Sequence, residues 1–367
     1  MAKKKKSGAL TLLTESRLKA KYPTYQTGSV IEVDAKGSLR LPFRVITLNY
    51  QLNGGIQYGK ILELFGEEST GKSLLAMDAA YCAQALGGEV IWVDAENSFN
   101  AAWFKNNGID LSRIHVLSSN AIELISDWVK DMIVMLRSKL TKNQPILLVM
   151  DSIAAARCMA EINEDMMDAS AKFGNRAKAI SDFLGNRNSL FKDAGVAVIL
   201  INQLRRKIGA SKFEDPDKTV GGDALKFYAH QRVDVRKGKQ IKKKIKGVEY
   251  KVGHNAYTRT KKDKTGPPRA TSEHEVYFRV TTTNDLGFAK YTKLAELLVQ
   301  LQVLQRAKGS SRYYYDGKML ANGEDAMSQV LLENQDLRST LIKASKINTI
   351  SRTQRKIDKL TTNLYRL

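Results

Sequence analysis

Cysteine is nearly absent: Cys82 and Cys158 are the two in a chain of 367 residues. Two cysteines cannot build a disulfide scaffold. Both sit in apolar stretches, so buried free thiols in a reducing compartment are expected. Histidine is scarce as well, with four in the chain, and no Cys or His spacing suits a zinc site. No window approaches the roughly 18 consecutive apolar residues of a membrane span. The opening Met1-Ala2-Lys3-Lys4-Lys5-Lys6 lacks the apolar run of a secretory signal. A cytoplasmic location with no membrane contact is therefore the expectation. Apolar residues make up 43% of the chain, ample for a sizeable core, which excludes global disorder.

What the chain has in excess is positive charge, +21 in net. Such an excess favours a polyanionic partner. It is not spread evenly: residues 1–46 carry +7, residues 202–270 carry +13 and residues 343–367 carry +6, leaving the remainder at −5. A Lys-rich surface that merely aids solubility is the alternative. The concentration of charge in one loop-like stretch argues against it.

The chain reads as alternating strands and helices. A short helix is expected at 8–21, and Leu39, Leu41, Phe43 and Val45 alternate as a strand does. Apolar strands follow at 61–65, 90–93, 146–150 and 196–201, with helices at 73–86, 122–140 and 173–193 between them. Unbroken apolar strands alternating with helices mean a mostly parallel sheet covered on both faces. After Lys226 come two half-exposed strands, 233–236 and 276–280, flanking a basic hairpin-like excursion. A helix from Tyr291, a strand at 313–315 and helices at 324–333 and 337–345 form a small α/β appendage. The domain reading is 1–45 as a basic N-terminal helix and strand, 46–285 as the core, 286–345 as the appendage and 346–367 as a basic tail.

One segment carries specific chemistry. Gly66-Glu67-Glu68-Ser69-Thr70-Gly71-Lys72-Ser73 fits G-x-x-x-x-G-K-[ST], after an expected strand and at the start of an expected helix. The glycines let backbone N–H groups wrap phosphates at the helix N-terminus. Lys72 would reach the β- and γ-phosphates of ATP, and the Ser73 hydroxyl would bind Mg²⁺. Asp151, ending an apolar strand, suits the carboxylate that holds Mg²⁺ through water. Glu96 follows another strand end. It could orient and deprotonate an attacking water, or equally be an ordinary helix N-terminal residue. Trp103, taken alone, reads as core; stacking on adenine is the alternative.

With these residues in view, the chain resembles the RecA family of recombinases. The likeness rests on Gly54-Gly55…Gly59-Lys60-Ile61, the phosphate loop, Val93-Asp94-Ala95-Glu96, Val149-Met150-Asp151-Ser152, and the run from Ile201-Asn202-Gln203 through Gly221-Gly222-Asp223-Ala224-Leu225-Lys226-Phe227-Tyr228. It covers about residues 38–340. The resemblance implies an α/β RecA-like P-loop ATPase core, an N-terminal polymerisation arm and a small C-terminal α/β domain. It implies a DNA-dependent ATPase that forms a helical homo-oligomeric filament on single-stranded DNA and exchanges strands with homologous double-stranded DNA. By the same resemblance, Glu96 is the catalytic glutamate and Trp103 the adenine-stacking aromatic. Gln203 is the polar sensor of the γ-phosphate, and Lys262 and Lys264 reach the neighbouring subunit's ATP. Phe227 is an interface aromatic.

Two loops are expected to line the filament axis. In the second, about 204–220, Arg205 and Lys207 neutralise phosphates and Ile208 wedges between bases. Gly221 and Gly222 let backbone amides approach a phosphate. The first, about 162–175, holds Met166, Met167 and Phe173 and leads to Arg176, which matches a DNA-contacting arginine. Arg236, Lys237 and Arg259 match a secondary DNA site, and the lysines at 242–246 are an addition to it. A hexameric DNA helicase shares the ATPase core, but usually employs an arginine finger where this chain offers a lysine pair. A non-catalytic DNA-binding member is disfavoured by the intact Lys72, Ser73, Glu96 and Asp151. The basic tail departs from the acidic tail common in bacterial members, and is expected to help capture duplex DNA.

Overall fold

Strict alternation of side chains builds a central sheet buried on both faces. In the strands Ile61–Gly66, Glu89–Asp94, Ile146–Asp151 and Val196–Arg206, the residues Leu62, Leu64, Val90, Trp92, Leu147, Val149, Ala197 and Ile199 enter one apolar cluster. Their neighbours Ile61, Ile91, Val93, Ile146, Leu148, Met150, Val196, Val198 and Leu200 enter the other. A strand that buries both faces has little room for polar residues, which is why these segments read as apolar runs, broken in Ile61–Gly66 by the buried Glu63.

The computed structural model describes residues 39–163, 169–206, 217–220, 222–245, 247–266, 271–278, 287–288, 291 and 293–345. The expected helix at 8–21, the tail 346–367 and the side chains of Met166, Met167 and Phe173 lie outside the described residues, as do Lys207, Ile208 and Gly221. Among the described residues the sheet has ten strands. Across it run Gly287–Phe288, Thr271–Tyr277, Val248–Asp263, Gln231–Ile245, Ile61–Gly66, Val196–Arg206, Ile146–Asp151, Glu89–Asp94 and Ile114–Leu117, with Asp217–Thr219 paired to Val196–Arg206. The six from Gln231–Ile245 to Ile114–Leu117 are parallel. The three beyond Gln231–Ile245 are antiparallel.

Helices cover both faces. Lys72–Ala85 is buried nearly all round, from Leu75 to Gln84, because the sheet and neighbouring loops enclose it. Ile122–Lys139 instead buries one stripe, Ile122, Ile125, Val129, Ile133 and Leu136, at helical spacing. Ala169–Asp193 packs beside it through Ile180, Phe183 and Leu184. Cys82 and Cys158 are buried free thiols, as their apolar context suggests. Among the described residues no helix is long and apolar enough to cross a membrane.

The C-terminal segment has a core of its own. Leu294–Gln300, the Arg312–Tyr315 and Lys318–Asn322 hairpin, Glu324–Glu333 and Gln335–Ala344 bury Leu294, Leu298, Tyr313, Met327, Leu331 and Leu341 together with Ile46. Ile46 belongs to the helix Ile46–Gln51. The alternation at 39–45 predicted a longer strand there, but strand pairing is confined to Arg40–Leu41 with Ile56–Gln57. Pro42 has no N–H for a ladder. Beyond it, Asn49 holds the backbone of Phe43 by accepting from its N–H at 2.7 Å and donating to its carbonyl at 2.5 Å. The excursion after Lys226 is larger than expected: one antiparallel hairpin of Gln231–Ile245 and Val248–Asp263.

Candidate active site

Sheet register brings the site together. Gly66 and Gln203 are opposite one another at the carboxyl ends of neighbouring parallel strands, as are Asp94 and Asp151. Ligands of open α/β sheets bind at this edge. The phosphate loop starts where the Ile61–Gly66 strand ends. A side chain at Gly66 would put a Cβ 2.1 Å from the Val235 carbonyl oxygen, so the close approach demands glycine. Gly71 caps the Lys72–Ala85 helix at φ 97°, a left-handed backbone that glycine adopts freely.

Lys72 is buried, and its ammonium donates to the carbonyls of Gly66 at 3.1 Å and Glu67 at 2.6 Å. Burial lowers its pKa, while Asp151, Glu96 and Glu68 pull it back up. Burial pushes the Asp151 carboxyl up to about 6, against the Ser73 hydroxyl that hydrogen-bonds it. The charges of Glu96 and Asp94 add to the rise. Asp94 is spent locally, its carboxylate accepting from the N–H groups of Ser98 and Phe99, both at 2.9 Å. Glu96 is exposed at its tip, and Oε1 accepts from Ser152 Oγ at 2.5 Å and Gln203 Nε2 at 3.2 Å. Thr70 Oγ1 donates to the Glu67 carbonyl at 3.1 Å.

Trp103 lies on the helix Ala101–Asn106, whose N-cap is Asn100. It is half-buried and packs against the same apolar cluster as Phe99. One side of the ring is thus core and the remainder is accessible.

Behind Gln203 runs a buried polar chain. Asn202 donates to Glu63 Oε1 and to the Val220 carbonyl, each at 2.9 Å, and accepts from the Gln203 N–H at 2.9 Å. Glu63 is fully buried and pairs with Arg232, whose guanidinium also reaches Thr219 at 3.4 Å. The sequence assigns no role to Ser152, Asn202, Glu63 or Arg232. Its available signals are adjacency to Asp151 and Gln203, and a lone carboxylate within the apolar run 61–65.

Lys262 and Lys264 gather elsewhere, at the C-terminal end of the helix Gly222–Tyr228. Lys262 donates to the carbonyls of Lys226 and, at 3.2 Å, Phe227. Burial, followed by the nearby Lys264 and Arg232, lowers its pKa. Lys264 sits 6.0 Å over the ring of Phe227, which is 72% exposed.

The expected nucleic-acid contacts are placed as follows. Arg176 pairs with Glu161 at 2.9 Å, on the short helix Met159–Asn163. Arg205 lies on the Val196–Arg206 strand with its backbone opposite Lys218, and Gly222 opens the Gly222–Tyr228 helix. Arg236 is exposed and pairs with buried Asp234 at 2.8 Å. Lys237 and Arg259 are exposed on the same hairpin, Arg259 opposite Asp234. A cleft of about 520 Å³ between this hairpin and Leu294–Gln300 is lined by Arg236, Arg259, Tyr257, Lys293, Glu273 and Glu296.

A phosphate loop between strand and helix, at the carboxyl edge of a mostly parallel sheet with Asp151 and Glu96 beside it, defines an α/β P-loop protein of the RecA-like type. A family model described as the RecA N-terminal domain matches residues 22–282. The chain is 33% identical over 307 residues to Protein RecA of Nocardia farcinica, spanning 83% of this chain and 82% of that one. It is 32% identical over 300 residues to Protein RecA of Synechocystis sp., spanning 81% and 78%. With Protein RecA of Cytophaga hutchinsonii it shares 30% identity over 322 residues, spanning 87% and 85%. The chain belongs to the RecA family of recombinases, as a divergent member.

Proposed function

We propose that this chain is a DNA-dependent ATPase that assembles on single-stranded DNA as a helical filament and exchanges strands with a homologous duplex. The observation that carries the reading is the hydrogen bond from Gln203 to Glu96. It joins the nucleotide site to the strand Val196–Arg206, whose end runs into the expected DNA loop, about 204–220. A γ-phosphate that drew Gln203 away would move that strand end.

The residues present fit ATP with Mg²⁺. Lys72 donates to two loop carbonyls, partners that phosphate oxygens can replace. Ser73 and Asp151 are hard oxygen donors, and the crowding of Asp151 by Glu96 and Asp94 is relieved by a nearby cation. Among the described residues no cluster of His, Cys, Asp and Glu could hold a metal unaided. When bound, Mg²⁺ supplies charge neutralisation at the phosphates. Lys72 and the backbone of 66–73 position the phosphates, and Trp103 offers its accessible face to adenine. Glu96, oriented by Ser152, takes a proton from the attacking water.

Lys262, Lys264 and the exposed Phe227 form the face presented to a neighbouring subunit, with the lysines acting on its nucleotide. Arg205, Lys207, Ile208, Gly221 and Gly222, together with Arg176 once it leaves Glu161, contact the first strand. Arg236, Lys237 and Arg259 receive the duplex or displaced strand. Residues 1–45 serve subunit packing, and 346–367 assist duplex capture. A hexameric helicase is the competing reading, and the relatives do not favour it. Electron microscopy with single-stranded DNA and a slowly hydrolysed ATP analogue tests the choice. Helical filaments are expected; closed rings would contradict the proposal.

A further inference from the structure

The basic hairpin continues past the sheet on its own. Gln231–Ile245 pairs with Ile61–Gly66 through residues 231–234, and Val248–Asp263 pairs with Thr271–Tyr277 through residues 253–259. From residue 242 outward, the two strands pair with each other alone among the described strands. Ile241 faces Gly253, Lys242 faces Lys251, Lys243 faces Tyr250, Lys244 faces Glu249 and Ile245 faces Val248. At about 3.3 Å per residue the ribbon projects roughly 13 Å.

Its two faces differ in chemistry. Residues directly opposite share a face and successive residues alternate. One face therefore carries Lys242, Lys244, Lys251 and Glu249. The other carries Ile241, Lys243 and Tyr250 and leans on the protein. Ile241 packs with buried Val252 and Tyr277, and the Lys243 ammonium lies 5.7 Å over the Tyr277 ring. Packing thus fixes which face looks outward. On that face Lys242 and Glu249 pair at 2.8 Å, each about half exposed. One carboxylate cannot neutralise three lysines. Lys242 and Lys251 are directly opposite, an arrangement that destabilises a free hairpin. A polyanion laid along the face reverses the sign of that interaction.

Two features select a duplex among polyanions. Single-strand binders present aromatic rings on which bases stack, and the lysine face carries none. A two-stranded ribbon also has the width that a major groove admits. Lys242 and Lys244 are about 6.6 Å apart along the strand, near twice the roughly 3.4 Å phosphate rise of one DNA strand.

We infer that residues 242–245 and 247–251 form a duplex-capturing finger that delivers double-stranded DNA to Arg236, Lys237 and Arg259. The inference rests on the recombinase reading and extends its duplex site outward. The test is the triple variant Lys242→Gln, Lys244→Gln, Lys251→Gln. A labelled duplex and a labelled single strand are titrated across a salt series with ATP analogue present. The slope of log affinity against log salt for the duplex should flatten by roughly 2 to 3, and duplex affinity at low salt should fall by about tenfold or more. Single-strand affinity and single-strand-dependent ATPase activity should stay within about twofold of wild type. Lys243→Gln, on the inward face, should leave the duplex slope unchanged. An unchanged slope in the triple variant would overturn the finger, as would equal losses on both DNAs. Loss of binding to phosphatidylserine–phosphatidylcholine vesicles with duplex binding intact would assign the face to a membrane instead. A wild-type protein that bound no single strand would overturn the recombinase reading itself, a result distinct from all of these.

Discussion

Arg232→Met probes the buried link behind the nucleotide site. The Glu63 side chain is fully buried and the Arg232 side chain 13% exposed, so water screens their pairing little. Methionine keeps a comparable stem against the Phe65 ring, over which the guanidinium sits at 4.9 Å. What is lost is the charge and its hydrogen bonds. Removing one partner of a buried ion pair costs about 3–5 kcal/mol, because the other charge stays buried. Asn202 still donates to Glu63, and the Lys262 ammonium lies within electrostatic reach of it. The lower end, about 3 kcal/mol, is therefore expected. The double variant Glu63→Gln, Arg232→Met removes both charges and should recover at least half of the loss. Urea unfolding followed by circular dichroism reads both. ATPase activity adds a second test, since Asn202 also holds the Val220 carbonyl and the Gln203 N–H. Arg232→Met should reduce DNA stimulation by about tenfold while nucleotide affinity stays near wild type, a difference of about 1.4 kcal/mol in the activation barrier. A single variant within about 0.5 kcal/mol of wild type, the range of an ordinary surface change, would refute the buried-pair reasoning.

Three further outcomes are expected. Glu96→Gln should keep nucleotide binding and filament assembly while turnover falls by about 10²-fold or more, the usual contribution of a general base; a wild-type rate would remove Glu96 from that role. The Lys262→Ala, Lys264→Ala double variant should lose DNA-stimulated ATPase activity, and mixing it with Lys72→Ala should restore part of it at mixed junctions. No recovery in mixtures shown to co-assemble would count against shared sites. His274 is buried and its pKa is lowered to about 3, so the unfolded chain, with a histidine near 6.5, binds more protons below that value. Stability is therefore level above pH 6.5 and falls as pH drops, by about 2 kcal/mol at pH 5 from this residue alone. His274→Leu should remove that share of the acid loss in urea unfolding at several pH values, and an identical pH slope would contradict it.

Local signals made the nucleotide site legible. The phosphate loop is contiguous in sequence, and its strand and helix context is contiguous too. The strands 146–151 and 196–201 declare themselves because both faces are buried. Ile114–Leu117 does not, since it is an edge strand with one buried residue. The helix Ala101–Asn106 is too short to show a period. The chain Gln203–Asn202–Glu63–Arg232 joins residues up to 169 positions apart, which no spacing rule can reveal. Glu63 reads as one polar interruption in an apolar strand until its partners are in view. Arg176 illustrates the converse. Its family match points to DNA, whereas the fold holds it on Glu161, an acidic partner that only packing brings within reach.

The central claim is strand exchange powered at the Lys72 site. Its most direct test incubates the protein, ATP and Mg²⁺ with circular single-stranded DNA and a linear duplex, either homologous or unrelated. Joint molecules and exchanged product should form with the homologous duplex alone, and Lys72→Ala should abolish them. Strand separation that proceeds equally on the unrelated duplex would contradict the account and assign the chain to helicase chemistry.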